Sequence, residues 1–459
     1  MSRISGFGNS KSYQIDMCHG ALLPQIIRFV IPLVISGILQ LLFHAADLIV
    51  IGRFASHRAL AAVGATGSLT MLLVNIFIGL SIGTNVLVAR YIGEQNRKDI
   101  SRTVHTAIMT SLCGGSFLAV TGIILAKPVL KLMGTPEDIL DMSVLYMWIY
   151  FGRMPMIMLY NFGSAVLRAL GDTVRPFYFL LAGGIINVAL NLFFVLVFHW
   201  DVAGVALATV ISQAVAAMLV FRVLHRMRGP CRVRWHGMRI EWKNFKEMMW
   251  IGVPAGFQSS CFSLSNTLIQ SSINSFGSIT IAAMTACSSL EGFAFVSMNA
   301  IGQAVVSFVG QNYGGKKFER VKESVKICMI LGYICSFTIA VVLLLCGRDL
   351  IMIFNTEPEV IAVGIRRFYI MLPLLFVCAV MEVFTGALRG LGRSVPPTVI
   401  TIFFVCVMRV VWIYTVFRWR PTLEVLLLSY PVTWIFNAVG CGWLFKSIFA
   451  KITAKEGNA

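Results

Sequence analysis

Residues 32–53 read PLVISGILQLLFHAADLIVIGR, a run in which Asp47 and the closing Arg53 are the only charged residues. A helix rises about 1.5 Å per residue, so a run of this length crosses a hydrocarbon core of roughly 30 Å. A surface helix of a soluble domain would confine its apolar residues to one stripe, whereas this one is apolar nearly all round. The stretch reads as a membrane span with a carboxylate inside it.

The same reading repeats along the chain. Apolar spans are expected near residues 26–51, 60–84, 103–126, 139–163, 176–198, 203–226, 248–274, 280–306, 324–346, 363–388, 396–419 and 422–446. Hydrophobic residues make up 58% of the 459 and charged residues 13%, whereas a soluble domain has roughly a quarter of its residues charged. Mean hydropathy is +0.82. These values exclude a soluble domain and predict an all-α polytopic membrane protein of twelve transmembrane helices. The segment Met1–Gly20 lacks the short apolar core and small-residue cleavage site of a signal peptide, so it is expected to be retained.

The 38 Lys and Arg against 20 Asp and Glu give a formal net charge of +18. Such an excess can mark a nucleic-acid binder, but here the charges sit mostly in alternate loops between apolar spans. That placement marks topology and predicts a multi-pass protein of the cell membrane with both termini cytoplasmic. The most basic segment, from Arg222 to Lys246, holds Arg226, Arg228, Arg232, Arg234, Arg239 and Lys243. It reads as a cytoplasmic linker over residues 226–247, able to touch anionic lipid headgroups at about 1 kcal/mol per side chain. Membrane lipid is thus an expected partner and nucleic acid is not. The eleven cysteines show no CxxC and no His-Cys metal spacing, so neither a metal centre nor a disulfide is expected.

Sliding the chain against itself by 222 residues pairs Ile31-Pro32 with Val253-Pro254, Phe54 with Phe276, and Tyr91 with Tyr313. At an offset of 221, Leu167-Arg168-Ala169-Leu170-Gly171 pairs with Leu388-Arg389-Gly390-Leu391-Gly392. The repeat spans six helices, an even number, so the halves share one orientation and are expected to be two six-helix bundles related by a pseudo-twofold axis along the membrane normal. The expected division is an N-terminal lobe at residues 1–225, the linker, and a C-terminal lobe at 248–459. The loop GQNYGGKK at Gly310–Lys317 resembles a phosphate cradle only superficially, because it lacks the GxxxxGK[ST] spacing. Its twin YIGEQNR at Tyr91–Arg97 occupies the same loop of the other half, which favours a structural turn over a nucleotide site.

Charge near the bilayer centre costs at least roughly 2.5 kcal/mol even on lenient insertion scales, which makes each such residue a functional candidate. Asp47 is the strongest, with no cation in its own span placed to neutralise it. Asn187 and Asn191 lie one turn apart in the fifth expected span and project from one helix face. Thr209 in the sixth adds a hydroxyl. Together they form an oxygen-rich set suited to a monovalent cation or a proton, although polar residues can also simply bond helix to helix. His44, one turn before Asp47, could tune its protonation or only donate a hydrogen bond. In the second half, Glu291, Glu382 and Arg409 fall in the eighth, tenth and eleventh expected spans, where proton or substrate binding competes with charge balance around Arg409 and an internal ion pair is expected. Arg409 pairs by the repeat with Asn187, so this half is not a second identical cation site.

These features together resemble the multidrug and toxic compound extrusion transporters of the bacterial type. The resemblance rests on PLVISGILQLLFHAADLIVIGR, GSAVLRALGDTVRP after the fourth span, NAIGQAVVSFVGQNYGGKKFERV across the eighth, and GALRGLGRSVPP after the tenth. It implies a secondary active antiporter that exports organic, mostly cationic amphiphilic drug-like compounds against Na+ or H+, with no cofactor, no enzymatic activity, and a monomer as the working unit. It also implies a cation site made by Asp47, Asn187, Asn191, Thr209 and the backbone carbonyl of Val205. Two departures stand out: no acid lies between Ile251 and Phe276, where some members carry one, and Asn191 stands where others have an acid. A flippase for lipid-linked saccharides is the alternative reading. A polytopic membrane enzyme is a more distant one, since neither DDxxD nor HxxxH occurs.

Overall fold

The computed structural model describes residues 13–54, 57–198 and 200–457, and no β-strand occurs among them. The first three helices of the two halves match in length. They are α1 (Leu22–Phe54) and α8 (Trp242–Asn274), 33 residues each; α2 (His57–Gly93) and α9 (Ser278–Gly314), 37 each; and α3 (Arg97–Leu132) and α10 (Phe318–Met352), 36 and 35. The fourth span of each half is broken. In the first half α4 (Glu137–Gly152) and α5 (Met154–Ala169) meet at Arg153 with a bend of 41°. In the second, α11 (Pro358–Met371) and α12 (Leu375–Gly390) are joined by the tight turn Leu372–Leu374. Pro155 and Pro373 lie at these breaks, where each lacks the N–H that a continuous helix would use.

The first half closes with α6 (Val174–Leu196) and α7 (Asp201–Arg226). The second closes with α13 (Val395–Thr401) and α14 (Met408–Trp412), run together through the wide π-helical turns Ile402–Val407 and Ile413–Phe417, and with α15 (Leu423–Gly457). Each of the twelve expected spans falls on a helix or helix pair, and most helices continue beyond it. Among the described residues ten helical spans are long and apolar enough to cross a membrane, and the bent α4–α5 pair makes an eleventh. The twelfth, α8, is long enough but carries Gln258, Ser260, Ser265 and Asn266, which bond within the protein. Gln258 accepts from Arg389 and Thr398, Ser265 donates to the Val405 carbonyl, and Asn266 accepts from Arg409.

The chain divides into two compact units: Met1–Asp16 with Ile31–Gly252, and Met17–Val30 with Val253–Ala459. The boundaries at Ile31 and Val253 lie one residue before the paired prolines Pro32 and Pro254, 222 residues apart as the repeat requires. The first core is built on Phe77, Val104, Ile108, Met154, Phe162, Val166 and Val220, and the second on Met284, Cys287, Phe368, Leu375, Leu427 and Trp434. Outside these cores Leu132, Leu345, Trp443 and Phe337 remain exposed, as side chains facing lipid do.

The basic segment after α7 is counted with the first unit and lies against α3. His105 accepts from the Arg234 backbone N–H at 3.0 Å, Thr106 from that of Glu241 at 3.0 Å, and Asn244 donates to Thr103 at 2.8 Å. Cys231 and Val233 point inward while Arg232 and Arg234 point out. Burial pushes the Cys231 thiol up to about 12, which leaves it protonated and unreactive at neutral pH. In the second unit the GQNYGGKK loop is a turn with Lys316 at φ 55°, matching Gln95 at φ 56° in the twin loop. Its Asn312 and Lys317, with Arg320, hold the backbone carbonyls of Met17, Cys18 and Gly20. The loop's polar groups therefore serve the fold.

Candidate functional site

Asp47 lies on α1, Asn187 and Asn191 on α6, and Val205 and Thr209 on α7, all within the first unit. The i, i+4 spacing stacks the two asparagines on one face, and the same spacing sets Thr209 over the Val205 carbonyl. What brings three helices together is the small residues between them. Gly183 lets α6 approach the Ser212 carbonyl of α7, and Gly184 leaves room for the Phe43 ring of α1, one turn before Asp47. A Cβ at Gly184 would clash with that ring, most closely with its Cε2. Gly184→Ala is therefore expected to push α1 away from α6, lowering stability by about 1–3 kcal/mol; unchanged melting of the detergent-purified protein would refute this.

The polar groups form one continuous string. Thr209 Oγ1 donates to the Val205 carbonyl at 2.8 Å, Asn187 Nδ2 donates to Thr209 Oγ1 at 3.3 Å, and Asn191 Nδ2 bonds both Asn187 Oδ1, at 3.3 Å, and Asp47 Oδ1. Asn187 and Asn191 are buried at 5% and 0% exposure. The Asn191 Oδ1 atom is buried without a hydrogen-bond partner. An unmatched acceptor in such a place costs about 1–3 kcal/mol. The string thus ends on a free oxygen beside a carboxylate, a donor set of hard oxygens that fits a monovalent cation. His44 lies exposed a turn away, and no hydrogen bond joins it to Asp47 among the described residues.

The second-half candidates are not brought together as a single set. Glu291 does not balance Arg409: its carboxylate takes a two-pronged bond from Arg367, at 3.0 and 2.6 Å, with both side chains buried. Arg409 is fully enclosed. It donates to Asn266 at 2.9 Å and Thr433 at 3.1 Å, and its guanidinium lies over the Tyr430 ring at 4.5 Å and near that of Phe262 at 5.5 Å. It makes no ion pair among the described residues, because the aromatic faces and neutral acceptors take the place of an acid. Glu382 sits on α12 beside Gly302 of α9.

Two charged residues escaped the sequence reading. Arg367 stands in GIRRFYIM, next to the exposed Arg366 and inside the tenth expected span, where its charge was the available signal. Arg153 stands in YFGRMPM, mid-span and flanked by Gly152 and Pro155, where a cation among helix breakers was the available signal. Tyr146, packed beside Val50, Val195 and Val205, is a further neighbour of the Asp47 site.

Two stretches of the chain, residues 32–193 and 254–415, match the MatE domain, at the offset of the internal repeat. The chain is 28% identical over 383 residues to the probable multidrug resistance protein YoeA of Bacillus subtilis (strain 168), covering 82% of each. It is 27% identical to YpnP of the same organism, also a probable multidrug resistance protein, covering 96% of this chain and 97% of the relative. A solved outward-facing multidrug resistance MATE family transporter superposes with a TM-score of 0.90 at 19% identity, over 97% of this chain and all of that one, and so shares the fold. With a MatE domain in each half and twelve helical spans, the chain belongs to the MatE family of multidrug and toxic compound extrusion transporters.

Proposed function

We propose that this multi-pass membrane protein is an antiporter that exports organic, mostly cationic amphiphilic compounds in exchange for Na+ or H+, with Asp47 as the coupling carboxylate. The observation that carries this reading is the string from Val205 through Thr209, Asn187 and Asn191 to Asp47, ending on a buried, unpartnered oxygen. A monovalent cation placed there would complete the Asn191 acceptor and neutralise Asp47 at once. Coupling requires that the cation bind the two transport states unequally, and a site built from three separate helices changes its geometry whenever one of them shifts. The protein works in the cell membrane with both termini cytoplasmic, as a monomer without a cofactor. A flippase for lipid-linked saccharides would call for several free arginines to meet a pyrophosphate. Here Arg367 is neutralised by Glu291 and Arg409 is enclosed by aromatic rings, which disfavours that reading.

The test is transport of a fluorescent organic cation by purified protein in liposomes, with Na+ and pH gradients imposed separately. Dye movement opposite to one of the two gradients is expected. Dye movement indifferent to both would overturn the antiport reading.

A further inference from the structure

Arg153 is a cation in the middle of a spanning pair, where insertion costs at least about 2.5 kcal/mol. It is both the C-cap of α4 and the N-cap of α5, and the 41° break between them falls on it. Its guanidinium lies 4.0 Å from the centre of the Tyr150 ring, and its Nε is buried without a hydrogen-bond partner. Tyr150 is itself fixed by a 3.2 Å bond to the Thr70 carbonyl, and its ring stands 6.2 Å from that of Tyr146, which packs on Val50 and Val205 beside the cation site. Arg153 forms no ion pair among the described residues, yet its charge acts on the Asp47 carboxylate.

The internal repeat supplies a control. At the offset of 222 Asp47 falls on Ile269, and at 221 Arg153 falls on Leu374; the shift of one residue would place it on Leu375. The half that lacks the carboxylate also lacks the cation at the helix break. A cation serving only to cap or bend the broken helix would be needed in both halves, because both are broken. Since α11 and α12 break without one, Arg153 serves something particular to the first half, and Asp47 is the acid on which its charge acts.

We propose that Arg153 is a tethered counter-cation for the Asp47 site: held on Tyr150, it competes with the incoming cation for the carboxylate and so limits how tightly that cation is bound. This rests on Asp47 being the coupling carboxylate. The charged and titratable neighbours of Asp47 among the described residues are Arg153, Tyr146 and, exposed one turn away, His44. A fixed positive charge near the carboxylate weakens the ion's attraction, so the ion is released more readily when the site's oxygens separate.

The experiment measures the half-saturating concentration of whichever cation, Na+ or H+, saturates the wild type, using full-length protein in nanodiscs and tryptophan fluorescence. Arg153→Gln is expected to tighten binding about tenfold, the scale on which a unit charge acts at a partly shielded site, and Arg153→Lys to stay within about threefold of wild type. Tyr150→Leu frees the guanidinium to approach Asp47 and is expected to weaken binding by at least about threefold, while the double variant Arg153→Gln/Tyr150→Leu follows Arg153→Gln. Opposite signs for the two single changes are not what a purely structural role produces. Binding unmoved by Arg153→Gln, or shifted in the same direction by both, overturns the proposal; if Arg153→Gln does not fold, unchanged or tighter binding in Tyr150→Leu does so alone. Asp47→Asn separates the two levels. Should it abolish saturation while Arg153→Gln shifts nothing, only the counter-cation fails; should it saturate like wild type, the coupling carboxylate fails and the counter-cation with it.

Discussion

Asp47→Asn is expected to cut cation-driven export by at least about a hundredfold while leaving the protein folded. A carboxylate and a monovalent cation about 4 Å apart attract by about 4 kcal/mol at the effective dielectric of a partly shielded site, roughly a thousandfold in affinity. Removing the charge removes that term, and no other carboxylate in the string can supply it, because Asn191 occupies the neighbouring position. The fold should tolerate the change. The amide is isosteric, and its oxygen can still accept the bond from Asn191 Nδ2 that Asp47 Oδ1 accepts now. The measurement is dye export from liposomes under an imposed cation gradient, with melting temperature as the control. Full export with unchanged ion dependence in the variant would remove Asp47 from the coupling mechanism.

The largest expected stability effect lies in the other unit, at Glu291 and Arg367. Breaking a buried, two-pronged pair by removing one partner leaves the other charge enclosed, at a cost of about 3–5 kcal/mol. Glu291→Gln and Arg367→Met should therefore each lower the thermal stability of the detergent-purified protein strongly. Replacing both by apolar residues of similar volume is often close to neutral. The double variant Glu291→Met/Arg367→Met should then recover most of the loss. A double variant no more stable than the worse single one would show that the pair is not an isolated electrostatic unit. If Glu291 instead carries a transported proton, the double variant would recover stability but not export, so stability and transport must be read together.

The sites differ in how far they could be read in advance. The Asn187–Asn191 spacing and the placement of Asp47 in an otherwise apolar run are local facts, and local facts survive folding when helices are long and regular. That the three helices meet depends on Gly183 and Gly184, which carry no chemical signal and act only by leaving space. In the second unit, counting charges predicted that an acid would balance Arg409. Three arginines and two acids in neighbouring spans admit several pairings, however, and only helix rotation selects among them. Arg409 turns toward Tyr430, Asn266 and Thr433, and Glu291 toward Arg367, 76 residues away in sequence.

The amino-acid sequence by itself determined the membrane, the number of spans, the repeat and the polar residues proposed here to hold the cation. Burying apolar length in a bilayer and closing every backbone hydrogen bond within a helix leave little choice once the pattern is written. The tertiary structure alone decided which charges meet. That Arg153 lies within electrostatic reach of Asp47, that Arg409 has no acid, and that Asn191 keeps a buried oxygen unmatched are consequences of how each helix is turned against its neighbours, and such rotations follow from packing across the whole unit.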